Sequence, residues 1–151
     1  MADAQPTLDP RRALVCVDAG DRQSVVTAAL TELGYAPDAV SSAPEAIDRM
    51  RKTGYEVVVI DETFQGAAPL DNAVLKGLNG MAMSVRRYMF VALLGAELKT
   101  LDNGTAFSRS VNAVVNLSDL GQLAPILRRA IADNDAFYRV FREVLQAAGK
   151  R

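Results

Sequence analysis

Four consecutive β-branched residues, Val57 to Ile60, closed by Asp61, constrain the fold more than any other stretch of this chain. A strand that lacks polar alternation is buried on both of its faces. Strands of this kind are typical of parallel sheets that carry helices on both sides. In such open α/β sheets, sites form at the carboxyl ends of the strands. Asp61 ends the run, and it is therefore the leading candidate for chemistry.

Other apolar runs alternate with segments of helical spacing, which predicts the order βαβαβαβαβα. These runs cover 13–17, 36–40, 89–94 and 113–115. Right-handed crossovers then predict a parallel sheet with helices on both faces. Of the orders that such sheets adopt, we expect the flavodoxin-like one, a three-layer α/β sandwich with five parallel strands in the order 2-1-3-4-5. We expect a flexible leader over 1–12, one domain over 13–132, and an extension of the last helix over 133–151.

Several helix ends and inward-facing residues can be predicted from residue type. Asp21 is expected to cap the first helix. Ser42 and Glu45 form the pattern of a capping box at the second helix, with Ser42 as the cap. The third helix is expected to begin near 69 with Leu70 facing the core, and the fourth to direct Phe107 inward.

Composition excludes several classes of function. The chain has 151 residues, no histidine and a formal net charge of −1. A histidine general base, a histidine zinc ligand and a phosphohistidine are therefore ruled out, and no strong drive toward nucleic acid exists. The lone Cys16 falls in an apolar strand and allows neither an internal disulfide nor a cysteine metal cluster. Without a membrane-length apolar run or a signal peptide, we expect a cytoplasmic protein.

The last helix is predicted over about 124–148, which is roughly 35 Å long at ~1.5 Å per residue. About half of that length covers one face of a sheet, so its second half is expected to project with apolar residues. The candidates for an interface there are Phe137, Tyr138, Phe141 and Leu145. A protein partner or a second copy is the favoured occupant, since a large apolar stripe marks an interface. The alternative is that the helix folds back on its own domain or over the leader.

Two carboxylates, Asp18 and Asp61, follow the first and third strands, which are neighbours in the predicted order. Together they could bind Mg²⁺ weakly, with waters completing the octahedron. A phosphoryl group could then be transferred to Asp61. The alternative is structural, with Asp18 capping the next turn and Asp61 accepting backbone N–H groups.

The dipeptide Val17-Asp18 and the stretch 54–61, ending on Asp61, resemble the receiver domain of bacterial response regulators. The resemblance covers roughly 13–132. This part of the chain is similar to receiver domains in the order of its strands and helices and in the positions where the strands end. It implies the CheY-like fold and a place in two-component phosphorelay signalling. It also implies that Asp61 takes the phosphoacceptor position and that Asp18 belongs to the acidic metal-binding pair.

The chain departs from the receiver pattern at the residues that assist the acceptor. Ala19 stands in place of the second acid, Leu94-Gly95 offers no hydroxyl at the end of the fourth strand, and Asn116-Leu117 stands where receivers carry Lys-Pro after the fifth. Asp21 or Glu62 could replace the missing acid in an acidic pocket.

These departures favour a degenerate receiver, a pseudo-receiver, that is not an enzyme and acts through protein contacts. The alternative is a working receiver that is phosphorylated on Asp61 with Mg²⁺. A nucleotide- or flavin-binding enzyme is disfavoured because no glycine-rich loop follows the first strand. The expected partners are proteins of a signalling pathway, including a possible homodimer, with no nucleic acid, no membrane and no cofactor beyond weakly bound Mg²⁺.

Overall fold

The computed structural model describes residues 11–68, 70–82, 86 and 88–149. The strands are β1 Arg11–Cys16, β2 Tyr35–Ala39, β3 Val57–Asp61, β4 Phe90–Gly95 and β5 Ala113–Asn116. The α-helices of this part are α1 Asp21–Glu32, α2 Ala43–Lys52, α3 Ala73–Asn79, α4 Asn103–Ser108 and α5 Leu123–Gly149. Short 3₁₀ helices cover Phe64–Gly66 and Leu117–Gln122.

The strands form one parallel sheet in the order β2-β1-β3-β4-β5, which confirms the predicted fold. In the centre of the sheet, Val59 pairs with Val15 of β1 on one side and Ala92 of β4 on the other. All five residues of β3 are buried. The apolar run therefore lies where its lack of polar alternation predicted, in the middle of the sheet.

Successive residues of each strand feed two separate cores, because side chains alternate between the faces of a sheet. One core contains Leu14, Val58 and Leu93 with apolar residues of α2, α3 and α4. The other contains Val15 and Val59 with apolar residues of α1 and α5. The helices thus cover both faces and leave the two ends of the strands open to form sites.

The first strand begins earlier than predicted. Arg11 pairs in register with Tyr35, so β1 includes two residues that were assigned to the leader. The Arg11 guanidinium also donates a hydrogen bond of 3.0 Å to Glu56, which holds this edge of the strand. Residues 1–10 lie outside the described part of the chain.

The predicted cap of α1 is wrong and that of α2 is confirmed. Gly20, with φ of 142°, is the N-cap of α1, and Asp21 is the first helical residue. A positive φ is accessible to glycine without a steric penalty, so the turn uses Gly20 at that position. At α2, Ser42 Oγ accepts from the Glu45 backbone N–H at 3.2 Å.

Two residues that were predicted to face the core are exposed. Leu70 is 83% exposed because α3 begins only at Ala73, after its N-cap Asn72, which leaves Leu70 in a loop. Phe107 is 87% exposed because the short α4 buries Ala106, its neighbour on another face of the helix. Helical spacing thus placed the start of α3 too early, and in α4 it did not determine which side of the helix meets the sheet.

The C-terminal helix α5 has 27 residues. That length corresponds to roughly 40 Å. Leu123 and Leu127 are buried against the sheet, whereas Phe137, Phe141 and Leu145 further along are exposed. The side chain of Tyr138, also predicted at the interface, lies outside the described part. No helix among the described residues has the length and apolar character needed to cross a bilayer.

Candidate functional site

Asp61 lies at the carboxyl end of β3, and its carboxylate is held by the protein itself. Its Oδ2 accepts a hydrogen bond of 2.9 Å from Arg22 Nη1. Its Oδ1 accepts from the backbone N–H and the hydroxyl of Thr63, at 3.0 and 2.8 Å. The Asp61 side chain is 5% exposed, while Arg22 is half exposed. Both carboxylate oxygens therefore have hydrogen-bond donors, and the donor to Oδ2, the Arg22 guanidinium, carries a positive charge.

Asp18 contacts the loop that follows β3. Its carboxylate accepts the backbone N–H of Gln65 at 3.1 Å. Gln65 has φ of 63°, the left-handed conformation that non-glycine residues rarely adopt. Asp18 thus holds the turn that follows β3, and not the turn directly after Asp18 that the structural alternative named. Asp21 is exposed in the first turn of α1.

Glu62 turns inward and forms the most buried ion pair of the site. Its Oε1 accepts from Arg109 Nη2 at 2.9 Å, and the side chains are 5% and 16% exposed. Its other oxygen occupies the space beside Gly95, where an added Cβ would lie less than 3.0 Å from it. The position at which receivers carry a hydroxyl is therefore filled by a carboxylate from the neighbouring strand end.

Asn72 fixes the loop between β3 and α3 from inside. Its side-chain amide donates to the carbonyls of Asp61 and Glu62, at 3.2 and 3.1 Å. Its carbonyl oxygen accepts from the backbone N–H groups of Val74 and Leu75 and so caps α3. One buried side chain therefore sets both the strand end and the helix start.

Asn116 occupies the end of β5, where receivers carry lysine. Its amide donates to the carbonyls of Ala96 and Leu98, at 3.1 and 2.6 Å. Its oxygen accepts from the backbone N–H of Ser118 at 2.8 Å. Asn116 thus ties the loop after β4 to the turn before α5, and it supplies no cation to the site.

The four acidic residues predicted at this edge have different surroundings. Asp61 and Glu62 are buried, whereas Asp18 and Asp21 are exposed. Across the described ranges, no group of three or more acidic or cysteine side chains is placed to hold a metal ion. A cation that used both oxygens of Asp61 would have to displace Arg22, so the donor set fits Mg²⁺ poorly.

Sequence reasoning missed three side chains that engage the carboxylates of Asp61 and Glu62: Arg22, Thr63 and Arg109. A weak signal existed for Arg22, because it follows the first strand and lies in the first turn of a helix at the same edge as Asp61. Thr63, two residues after an aspartate, fits an Asx turn. No local pattern pointed to Arg109, which lies 47 residues from Glu62.

A groove of about 610 Å³ lies at the other end of the sheet, where the strands begin. Its floor includes the first residues of four strands: Arg11, Tyr35, Val57 and Phe90. The projecting half of α5 forms one wall, with Ile131, Asn134, Phe137, Phe141 and Leu145. The Arg11 guanidinium lies 4.8 Å from the centre of the Tyr35 ring, and burial raises the pKa of that phenol. The groove and the carboxylates are therefore at opposite ends of the strands.

The structure is similar to those of response-regulator receiver domains. One is the receiver domain of a sensor histidine kinase from Pseudomonas aeruginosa, solved with magnesium in the active-site cleft: 19% identity, TM-score 0.63, 82% of this chain and 99% of that one. Another is a CheY-like receiver domain from Methylobacillus flagellatus: 21% identity, TM-score 0.61, 81% of this chain and 99% of that one. The chain also matches NtrX from Brucella abortus, solved with ADP: 16% identity, TM-score 0.65, 93% of this chain but 30% of that longer one.

No protein-family model and no curated protein matches the sequence. The similarity therefore establishes the receiver fold, and the role of this chain has to be argued from its own residues.

Proposed function

We propose that this chain is a receiver-like module of bacterial signal transduction, a pseudo-receiver that acts in the cytoplasm through protein contacts. The observation that carries the proposal is the state of Asp61. Its two carboxylate oxygens are engaged by Arg22 and Thr63. Attack on a phosphorus atom would require one of these oxygens to give up or share its donors, and the contacts to Arg22 and Thr63 therefore disfavour phosphoryl transfer.

The surroundings of Asp61 support the same conclusion. A transferred phosphoryl group would add roughly two negative charges at neutral pH. Receivers offset that charge with a metal ion and a lysine, but Asn116 uses its amide to bind backbone carbonyls. Glu62, which is paired with Arg109, fills the space beside Gly95 where receivers carry a hydroxyl. Each replacement makes a phosphorylated state less favourable.

The second candidate is a working receiver that is phosphorylated on Asp61 with weakly bound Mg²⁺. It is favoured by the place of Asp61 at the end of β3 and by the half-exposed side chain of Arg22. A side chain with that exposure can swing into solvent, and Asp18 could then join Asp61 as a second acidic ligand.

An NMR titration with Mg²⁺ and beryllium fluoride distinguishes the two candidates. We expect the amide signals of Thr63 and its neighbours to stay fixed in the parent chain. In Arg22→Ala, Mg²⁺ alone should move them, because the carboxylate has lost its tethered cation. Asp61→Asn is the control in both backgrounds. Movement in the parent that disappears in Asp61→Asn would overturn the pseudo-receiver proposal in favour of the working receiver.

The contact surface in this proposal is the projecting half of α5. This assignment can be tested by using the chain to capture proteins from a lysate of the native host. The parent chain is compared with Leu145→Glu on α5 and with the control Phe107→Glu, which changes an exposed residue on α4. Loss of the captured protein with Leu145→Glu alone supports the assignment. Equal capture by all three chains would exclude α5 as the contact surface.

A further inference from the structure

The projecting half of α5 and the groove beside it present two complementary apolar surfaces on one molecule. The exposed apolar residues of the helix are Phe137, Val140, Phe141, Val144 and Leu145. At about 100° per residue they cover an arc of roughly 140°. A surface helix that meets one neighbour carries an apolar stripe of roughly 100°. The stripe here is therefore wide enough to meet its own sheet edge and a second body at once.

We infer that a second copy of this chain occupies the groove, with the α5 extension of each protomer lying in the groove of the other. This inference rests on the proposed function, since it names the partner that the α5 surface takes. A two-fold axis makes such an interface self-complementary: each chain supplies one helix and one groove, and the assembly closes as a dimer.

The available area agrees with a dimer. Tyr88 at the groove rim is 72% exposed, and the helix residues are between 46% and 65% exposed. With about 150–250 Å² for a fully exposed aromatic side chain, these residues together offer roughly 600 Å². A stable interface buries about 800 Å² per partner. The polar rim of the groove and the helix backbone can supply the remainder.

The charges also favour an identical partner over one of opposite sign. The chain has a net charge of −1, so two copies do not repel strongly. Along α5 the exposed acids Asp133, Asp135 and Glu143 are interspersed with Arg139, and Asp135 also lines the groove. Within the groove, Arg11 is already paired with Glu56. A partner chosen by charge would need a field of one sign, and the described residues of this surface do not provide one.

Sedimentation velocity of the full-length chain over a wide concentration range tests the inference. We expect twice the chain mass at high concentration. Leu145→Glu on the helix and Tyr88→Glu on the groove rim should each weaken self-association by roughly tenfold or more, because each places a charge in an apolar contact. Phe107→Glu, at an even more exposed site on α4, should leave self-association unchanged. The two test variants lie on different elements, so a folding defect in one leaves the other informative.

A monomer at every concentration, a trimer, or a dimer that tolerates both test variants would each overturn the inference. If the chain is monomeric but still captures a host protein through Leu145, the second copy is excluded while the proposed function stands. If the chain dimerises as expected while Asp61 responds to beryllium fluoride in the parent, the proposed function fails and the dimer interface remains.

Discussion

The Gly95–Glu62 contact allows a sharp test of how the site is built. Replacing Gly95 with alanine would place a Cβ less than 3.0 Å from a Glu62 carboxylate oxygen and 2.8 Å from Leu98 Cδ1. The Glu62 carboxylate would have to move, and it would separate from Arg109. Breaking a buried ion pair costs about 3–5 kcal/mol, so we expect Gly95→Ala to lower the free energy of unfolding by about 3 kcal/mol.

The double-mutant cycle shows whether the two residues compete for the same space. Glu62→Ala alone should also cost about 3 kcal/mol, because it leaves the mostly buried Arg109 without this carboxylate. In Gly95→Ala/Glu62→Ala the new methyl group meets no carboxylate, and its remaining close contact is the flexible end of Leu98, which can move into the space that Glu62 vacates. The double variant should therefore lose about 3 kcal/mol, half of the additive value, which corresponds to a coupling of about 3 kcal/mol.

Urea denaturation followed by circular dichroism measures all four chains. Gly121→Ala is the matched control, since an added Cβ there meets nothing within 4 Å. It should change the free energy of unfolding by less than about 0.5 kcal/mol. Additive losses in the double variant, or a Gly95→Ala chain as stable as the control, would refute the packing argument.

Three further outcomes follow from the same structure. Arg22→Ala should cost about 1 kcal/mol in urea denaturation, because it removes a charge-assisted bond to Asp61 whose donor is half exposed; an unchanged midpoint would show that the pair contributes nothing. Asn72→Ala should cost about 2–3 kcal/mol, because it leaves the buried carbonyls and amides of the β3–α3 turn without their partner, and Asn79→Ala at the end of α3 serves as its control. Burial and the hydrogen bond to Asp38 raise the pKa of Tyr55. The folded state thus holds this proton more tightly, and stability should be full below pH ~10 and fall as the pH rises through the raised value. Tyr55→Phe should show a smaller alkaline loss, and an identical pH profile would contradict the assignment.

The sheet was predictable because its signals are local. The burial of β3, the parallel sheet and the place of Asp61 follow from uninterrupted apolar segments separated by helices, whereas the strand order was expected from the fold class. The state of the carboxylates was not predictable. Arg22 reaches Asp61 across 39 positions, and whether it does so depends on the rotation of α1 about its axis. The exposure of Phe107 has the same origin, since spacing defines a helical face without defining its neighbour.

The contact between Gly95 and Glu62 leaves a partial signal in the sequence. A glycine at the end of β4 and a glutamate directly after β3 have complementary volumes, and strand pairing brings them side by side. A glycine and a glutamate at these positions predict a contact only when Arg109 is known to lie close to Glu62. Sequence therefore indicated that the usual hydroxyl was absent, but only the structure identified the group that fills its place.

The continuous course of α5 connects the two ends of the sheet mechanically. The helix starts directly after the turn that Asn116 fastens and ends far beyond the first residues of the strands. Along a rod of roughly 40 Å, a tilt of about 10° at the base displaces the tip by about 7 Å. A small rearrangement at the carboxylate rim would thus be amplified into a large change in the width of the distant groove.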